Sequence, residues 1–288
     1  MKLGVITDGI SRDLDHALSV MDEFDLDYAE LQFIGEKEVG DLDRTERAST
    51  LELVRKHNKK VSCISRHLFA GMYMASSRPG DEVHSKHMDA LKRCIEMAQE
   101  FDCGTVRIMT GKKEMILWGH HGAEQWNVAK GAWEAQLPLI APAVELARSE
   151  GILLVVETGN GTMVNSCYTA RRLIDDLNAK ETLKVLWDPA NNCWCHETAW
   201  PDGYNEIREG YLGHLHIKDV YVDTPRATLE VRPMLEGQLA EQFRPLAAAL
   251  RADGYDGVIS YESVYHPGNG DFEAGFRQNI GIFKEIFG

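Results

Sequence analysis

Four polar residues stand at or near the ends of short apolar runs in the second half of the chain. Glu157 follows ILLVV, Asp188 follows LKVLW and Glu262 follows GVISY, whereas His216 lies near the end of GHLHIKD. Three carboxylates directed at one point would repel one another unless a cation compensates them. Oxygen ligands with one imidazole suit Mn²⁺, Mg²⁺, Co²⁺ or Fe²⁺ and do not exclude Zn²⁺. These residue types therefore predict one divalent metal ion, with Mn²⁺ as the leading choice.

A regular succession of strands and helices is needed to bring those residues together. Apolar runs predict strands over 2–7, 28–34, 60–65, 105–110, 152–157, 183–188, 213–219 and 257–262. Amphipathic stretches predict a helix capped by Ser11, and further helices over 44–58, 82–100, 124–149, 167–178, 203–209, 239–252 and 272–287. Eight strand-helix units in 288 residues fit the α/β class and a single (β/α)8 TIM barrel over residues 1–288. A doubly wound sheet usually has fewer strands.

The predicted barrel decides where the four polar residues meet. Active sites of such barrels lie at the carboxyl ends of the strands. Strands five to eight would therefore deliver Glu157, Asp188, His216 and Glu262 to one rim. A single carboxylate at a strand end can instead cap the next helix or pair with a lysine. Four such residues on consecutive strands favour a metal centre.

At these positions the sequence resembles the xylose isomerase-like barrel superfamily of sugar isomerases and epimerases. The resemblance rests on VVETG, LWDPANN, GHLHIKD and ISYES, and HIKD is its most specific string. It implies that Glu157, Asp188, His216 and Glu262 are the ligands of one divalent ion. Many members carry a histidine three residues after the aspartate ligand. In this chain that residue is Asn191, so no histidine stands there for a second metal or for substrate.

The expected chemistry is proton transfer on a sugar, keto-sugar or cyclitol. A metal ion that binds a carbonyl and the neighbouring hydroxyl stabilises an enediolate and acidifies the carbon between them. Glu157 and Glu262 would remove and return the proton, which makes the protein an isomerase or epimerase. Expulsion of a β-substituent would make it a lyase, acting on a 3-keto-glycoside or dehydrating a keto-cyclitol. An apurinic endonuclease, or a subunit without its own activity, is a weaker alternative.

Further residues near the strand ends are candidates for binding the substrate. They are His67 after strand three, Arg107 in strand four, Trp118 and His121 in the loop WGHHGAEQW, Asn191, Lys218 after His216, and Arg232 in the loop after strand seven. Tryptophan rings stack on sugars and imidazoles transfer protons. Each candidate also has a structural interpretation: Arg107 can pair with a buried carboxylate, and the Trp/His loop can be an ordinary surface loop.

Two nearby groups are expected to be structural. His214 shares the facing of His216 but lies deeper, which favours a satisfied core histidine over a fifth ligand. Cys193 and Cys195 lack a second pair of zinc ligands at suitable spacing, so we interpret them as packing residues.

Net charge, apolar runs and cysteine distribution indicate which partners and which compartment to expect for this protein. A formal net charge of −14 opposes binding to nucleic acid, and no apolar run approaches the ~18 residues that a membrane span needs. The six cysteines are scattered, as is typical of reduced thiols, and the N-terminus lacks the pattern of a signal peptide. We therefore expect a cytoplasmic protein with a small carbohydrate or cyclitol substrate. A homo-oligomer or a hetero-subunit both remain compatible with the sequence.

Overall fold

Eight parallel strands close into a barrel in the computed structural model, which describes residues 1–113 and 130–288. The barrel strands are β1 (Lys2–Ile6), β2 (Tyr28–Leu31), β3 (Lys60–Ser65), β4 (Thr105–Ile108), β5 (Leu153–Glu157), β6 (Leu183–Trp187), β7 (Leu212–Ile217) and β8 (Val258–Tyr261). Each strand pairs with its neighbours in chain order, and β1 pairs with β8 to close the ring. The prediction of a (β/α)8 barrel is therefore confirmed.

Helices connect the strands in the described ranges. They are α1 (Leu14–Glu23), α2 (Arg44–Lys56), α3 (Glu82–Glu100), α4 (Ala132–Glu150), α5 (Cys167–Asp176), α6 (Pro189–Asn192), α7 (Tyr204–Ile207), α8 (Ala240–Ala252) and α9 (Phe272–Phe287). The predicted start of the fourth long helix at 124 falls outside the described residues, within which α4 begins at Ala132. No helix within these ranges has both the length and the apolar character needed to cross a membrane.

The cap of α1 corrects one expectation. Asp13, and not Ser11, is the N-cap residue, since its carboxylate accepts a hydrogen bond from the backbone N–H of His16 at 3.3 Å. The Ser11 hydroxyl accepts from the N–H of Asp13 at 3.1 Å. Serine and aspartate are both common N-cap residues. The helix begins after Asp13, so its cap lies two residues beyond the predicted one.

Two short antiparallel hairpins extend the barrel beyond β2 and β7. Phe33–Ile34 pairs with Lys37–Glu38, and Asp219–Asp223 pairs with Thr228–Arg232. Both hairpins follow the carboxyl end of a barrel strand and so lie at the rim where the polar residues collect. The segment after β7 is therefore a hairpin, and Arg232 is its last strand residue.

The two faces of the barrel strands pack against different groups of apolar residues. Leu154 and Val156 of β5 belong to the large apolar core, whereas Val155 belongs to a small separate cluster with Cys63 and Leu186. Successive side chains of a strand point to opposite faces, so Glu157 shares the facing of Val155. Glu157 therefore stands above a small apolar cluster in the barrel interior.

Candidate metal centre

The structure brings the four predicted ligand residues together at the carboxyl ends of β5 to β8. Glu157, Asp188, His216 and Glu262 each offer a ligand atom, and these atoms lie within 4.8 Å of one another. The Nδ1 atom of His216 lies 3.8 Å from a carboxylate oxygen of Glu157 and 3.8 Å from one of Glu262. Glu157, Asp188 and His216 are buried, whereas the Glu262 side chain is 20% exposed. The cluster is therefore open to solvent on the Glu262 side.

Asp188 is held in place by the helix that follows it. It is the N-cap residue of α6, and its Oδ1 atom accepts hydrogen bonds from the N–H groups of Ala190 and Asn191 at 3.0 and 3.3 Å. Pro189 at the first helical position fits this arrangement, since proline lacks the N–H that a helix leaves unpaired there. Oδ1 is thereby occupied, and the other carboxylate oxygen faces the cluster.

Arg107 contacts Glu157 at the bottom of the site. Its Nη1 atom donates to Glu157 Oε2 at 2.9 Å, and Nη2 donates to the carbonyl of Ser65 at 3.1 Å. Burial tends to raise the pKa of Glu157, but the charges of Arg107, His216 and Lys218 together outweigh it and lower the pKa to about 2. The buried ion pair is thus the observed role of Arg107, and the guanidinium keeps Glu157 ionised.

Lys218 places an ammonium group among the carboxylates. Its Nζ atom donates to Asp188 Oδ2 and to Glu262 Oε2, the latter at 2.5 Å, and the side chain is 9% exposed. Burial raises the pKa of Asp188 to about 6, although the Lys218 charge acts in the opposite direction. Lys218 therefore contacts two of the candidate ligands, Asp188 and Glu262.

Glu30 is a functional candidate that the sequence interpretation missed. It lies in β2 with no exposed surface, and its Oε1 atom is 2.9 Å from Nε2 of His216. Burial tends to lower the pKa of His216, but Glu30 and Glu157 together outweigh it and raise the pKa to about 10. A glutamate within the apolar string YAEL is the only signal for it in the sequence, and the strand pattern does not reveal its partner 186 residues away.

Two observations indicate that the four ligand residues fit a divalent cation. His216 Nδ1 is buried and has no hydrogen-bond partner among the described residues, although it faces two carboxylates. A buried polar atom without a partner is costly, and a metal ion would satisfy it. In addition, the carboxylates of Glu157, Asp188 and Glu262 pair with the cations of Arg107 and Lys218, and a fourth carboxylate, that of Glu30, contacts His216. Metal binding requires that Nδ1 of His216 lose its proton. The four carboxylates and two cations then leave two negative charges, which a divalent ion would neutralise.

The other residues predicted to bind the substrate do not all lie near the cluster. Asn191 lies beside the cluster, since its Nδ2 atom donates to the carbonyl of Thr158 at 2.9 Å and is 3.4 Å from Glu157 Oε1. His67 lies in a separate cavity of about 340 Å³, where its Nδ1 atom is 2.7 Å from Glu38. Arg232 pairs with Glu230 on the hairpin. Trp118 and His121 lie outside the described residues.

Three neighbouring groups have structural roles. His214 Nε2 is 2.7 Å from Glu30 Oε2 and 3.1 Å from the Ser260 hydroxyl, as a satisfied core histidine should be. Asp219 accepts backbone hydrogen bonds from Val220, Gly237 and Leu239 and so anchors the hairpin that follows β7. The thiols of Cys193 and Cys195 donate to backbone carbonyls, and all six cysteines carry free thiols.

A larger cavity opens at the same rim beside Glu262. It has a volume of about 620 Å³ and includes Ser263 and Val264, which directly follow Glu262, together with Asp8 and Arg12 after β1. Its size is within the range of pockets that hold small ligands. The lining includes the two residues that follow Glu262 but none of the four residues of the cluster.

The fold and the cluster define a (β/α)8 barrel with a candidate metal centre at the carboxyl ends of its strands. The chain belongs to the xylose isomerase-like TIM barrel family, whose model matches residues 18–286. The predicted family is thus confirmed. A search of curated protein sequences finds no relative that matches this chain.

Solved structures with the same fold cover nearly the whole chain. A xylose isomerase-like TIM barrel protein from Mycobacterium smegmatis, in complex with magnesium, is 17% identical, with a TM-score of 0.65 and coverage of 95% of this chain and 88% of that chain. The 3-keto-D-glucoside 4-epimerase of E. coli is 18% identical, with a TM-score of 0.69 and coverage of 99% of both chains. A probable 3-DHS dehydratase from Bacillus anthracis is 14% identical, with a TM-score of 0.71 and coverage of 96% and 98%.

Proposed function

We propose that this protein is a divalent-metal-dependent isomerase or epimerase that moves a proton next to the carbonyl group of a sugar, keto-sugar or cyclitol. The observation that carries the proposal is the cluster of three carboxylates and one histidine whose ligand atoms lie within 4.8 Å of one another. Its position at the carboxyl ends of the strands is where barrels of this architecture place their chemistry. The magnesium complex of one similar structure and the epimerase activity in the name of another agree with this proposal.

The proposed ligands are Glu157, Asp188, His216 and Glu262. A bound divalent cation would polarise the carbonyl of the substrate and compensate the negative charge that develops when a neighbouring carbon loses its proton. Mn²⁺ is the leading choice for this set of oxygen and nitrogen donors, and Mg²⁺, Co²⁺, Fe²⁺ and Zn²⁺ are compatible with it. The cytoplasm is the proposed compartment.

The carboxylates differ in how well they can exchange protons with a substrate. Glu262 is the more exposed of the two glutamates, since 20% of its side chain is accessible, so we assign it the removal of the proton. Glu157 lies on β5, three strands from β8, and is proposed to act from the other side of the substrate. Its ion pair with Arg107 holds it in place but makes it a weaker base. Asn191 and Lys218 are the nearest groups that could bind substrate oxygens.

Elimination is the second candidate reaction, and the position of Lys218 favours it. An ammonium group 2.5 Å from Glu262 can donate a proton to a leaving oxygen after Glu262 has removed one from carbon. The similar structure named as a probable dehydratase is consistent with this alternative. The substrate would then be a 3-keto-glycoside or a keto-cyclitol.

Proton exchange in D₂O tests the proposal. The Mn²⁺-loaded protein is incubated with a panel of keto-sugars and keto-cyclitols, and deuterium incorporation and products are followed by NMR and mass spectrometry. We expect exchange at a carbon next to the carbonyl of at least one compound, reduced by about 10²-fold or more in Glu262→Gln. Glu285→Gln, which changes an exposed glutamate of α9 that pairs with Arg244, is the matched control. Release of water or an aglycone would identify a lyase, and exchange unaffected by Glu262→Gln would refute the assigned base.

A further inference from the structure

Glu30 lies in a buried hydrogen-bonded cluster directly beneath the candidate metal centre. Three side chains approach its carboxylate: Nε2 of His216 at 2.9 Å, Nε2 of His214 at 2.7 Å, and the hydroxyl of Ser65. Glu30, His216 and Ser65 have no exposed surface. Glu30 therefore has no access to a substrate, and any influence on the chemistry must pass through a neighbour.

The number of donors around Glu30 determines which nitrogen of His216 faces the cluster. A carboxylate approached by three donor groups is best satisfied as an ionised acceptor, so Nε2 of His216 carries a hydrogen and donates it. This bond turns the other ring nitrogen, Nδ1, toward Glu157 and Glu262, where it lacks a partner among the described residues. The hydrogen bond to Glu30 thus fixes the orientation of the His216 ring.

We propose that Glu30 is a positioning residue for the metal centre: by accepting the Nε2 hydrogen of His216 it fixes the ring and presents Nδ1 as the ligand. This inference rests on the proposed function, because it requires that His216 bind the metal. Carboxylates that accept the second N–H of a metal-binding histidine orient the ring and strengthen the ligand. Glu30 occupies this position although it lies on β2, on the side of the barrel remote from the strands that carry the four ligands.

The same residues could instead hold an ion themselves, since Glu30, His214 and His216 also form a group with ligand atoms within 4.8 Å. The hydrogen bonds argue against this arrangement. Both Nε2 atoms already donate to the carboxylate, and His214 Nε2 also lies 3.1 Å from the Ser260 hydroxyl. An ion there would have to break hydrogen bonds within a fully buried cluster, whereas an ion at Nδ1 of His216 would break none, because Nδ1 has no hydrogen-bond partner among the described residues.

Zn²⁺ binding tests the proposal with a readout independent of activity. The affinity for Zn²⁺ is measured by calorimetry for the wild type, Glu30→Gln and Ser65→Ala, and the visible spectrum of bound Co²⁺ is recorded for each. Glu30→Gln should lose about 10- to 100-fold in Zn²⁺ affinity and change the Co²⁺ spectrum. Ser65→Ala removes another hydrogen bond to Oε1 of Glu30 but leaves the His216 contact, so its loss should be much smaller. An equal loss in both variants, or an unchanged affinity in Glu30→Gln, would overturn the proposal.

If Glu30→Gln does not fold, a measurement on the wild type still tests the proposal. Histidine is labelled with ¹⁵N, and the ring nitrogens of His216 are followed by NMR as Zn²⁺ is added. We expect Nδ1 to shift while the Nε2 proton stays visible and hydrogen bonded. Loss of that proton with a shift at Nε2 would place the ion on the Glu30 side and refute the positioning role. A wild type that takes up no Zn²⁺ would refute the metal centre as well, which distinguishes the two failures.

Discussion

Replacing Lys218 with methionine should strengthen the binding of a divalent metal ion and destabilise the metal-free protein. The Lys218 ammonium donates to Asp188 and Glu262, two of the proposed ligands, and its side chain is only 9% exposed. In the metal-free protein it compensates their charges. In the metal-bound protein it repels the ion and competes for the same oxygen atoms.

The size of the effect follows from the charges. For charges about 4 Å apart, an ammonium and a divalent ion repel by about 2 kcal/mol at the dielectric constant of water, and by more in a buried site. Because the lysine head can move away, we take the water value, which corresponds to about 30-fold tighter binding. Removing one partner of a buried ion pair costs about 3 to 5 kcal/mol. The free energy of unfolding of the metal-free variant should therefore fall by several kcal/mol.

Calorimetry with Mn²⁺ and thermal unfolding with and without Mn²⁺ measure the two effects. Lys86→Met is the matched control, since it removes the same charge from a side chain that is 73% exposed and pairs within α3. On addition of Mn²⁺, the melting temperature of Lys218→Met should rise more than that of the wild type or of Lys86→Met, because a ligand bound by the native state stabilises it. Weaker or unchanged Mn²⁺ binding by folded Lys218→Met would refute the view that the ammonium opposes the ion.

Two further predictions concern stability. Arg107→Met leaves Glu157 buried without its cation, so the metal-free protein should lose about 3 to 5 kcal/mol of unfolding free energy in urea denaturation, and bound Mn²⁺ should restore part of it. An unchanged midpoint would contradict this. Although burial opposes it, the hydrogen bonds to Asp22 and Asp15 raise the pKa of His57. A raised pKa stabilises the native state below the ordinary histidine value of about 6.5, and the effect is lost as the pH rises through the folded-state pKa. The stability difference between the wild type and His57→Gln should therefore be larger at pH 6 than at pH 9, and a constant difference would refute the role of the ion pairs.

The rim residues could be predicted from the sequence because their positions depend only on the strand pattern. Glu157, Asp188 and Glu262 each end an apolar run, and a parallel barrel places all such ends at one rim. Their convergence within 4.8 Å together with His216 agrees with that expectation. Strand boundaries differ from the predicted ranges by at most three residues, and the third strand, Lys60–Ser65, matches its range at both ends.

The groups that surround the ligands could not be predicted because their contacts depend on the register between distant strands. Glu30 meets His216 across the barrel interior, 186 positions away in the chain. Lys218 is two residues from His216, yet the turn into the hairpin directs its ammonium to Asp188 and Glu262. Arg107 had two interpretations, as a substrate contact or as a partner of a buried carboxylate, and only the three-dimensional structure places its guanidinium against Glu157.

Elemental analysis of the purified protein tests the metal centre most directly. The wild type, Glu157→Gln and His216→Ala are dialysed against Mn²⁺ and then against buffer, and His67→Ala serves as a control because His67 pairs with Glu38 outside the cluster. We predict a near-stoichiometric divalent metal in the wild type and in His67→Ala, and its loss in the other two variants. A wild type that contains no metal and takes up none, or retention of the metal by both Glu157→Gln and His216→Ala, would contradict the proposed centre.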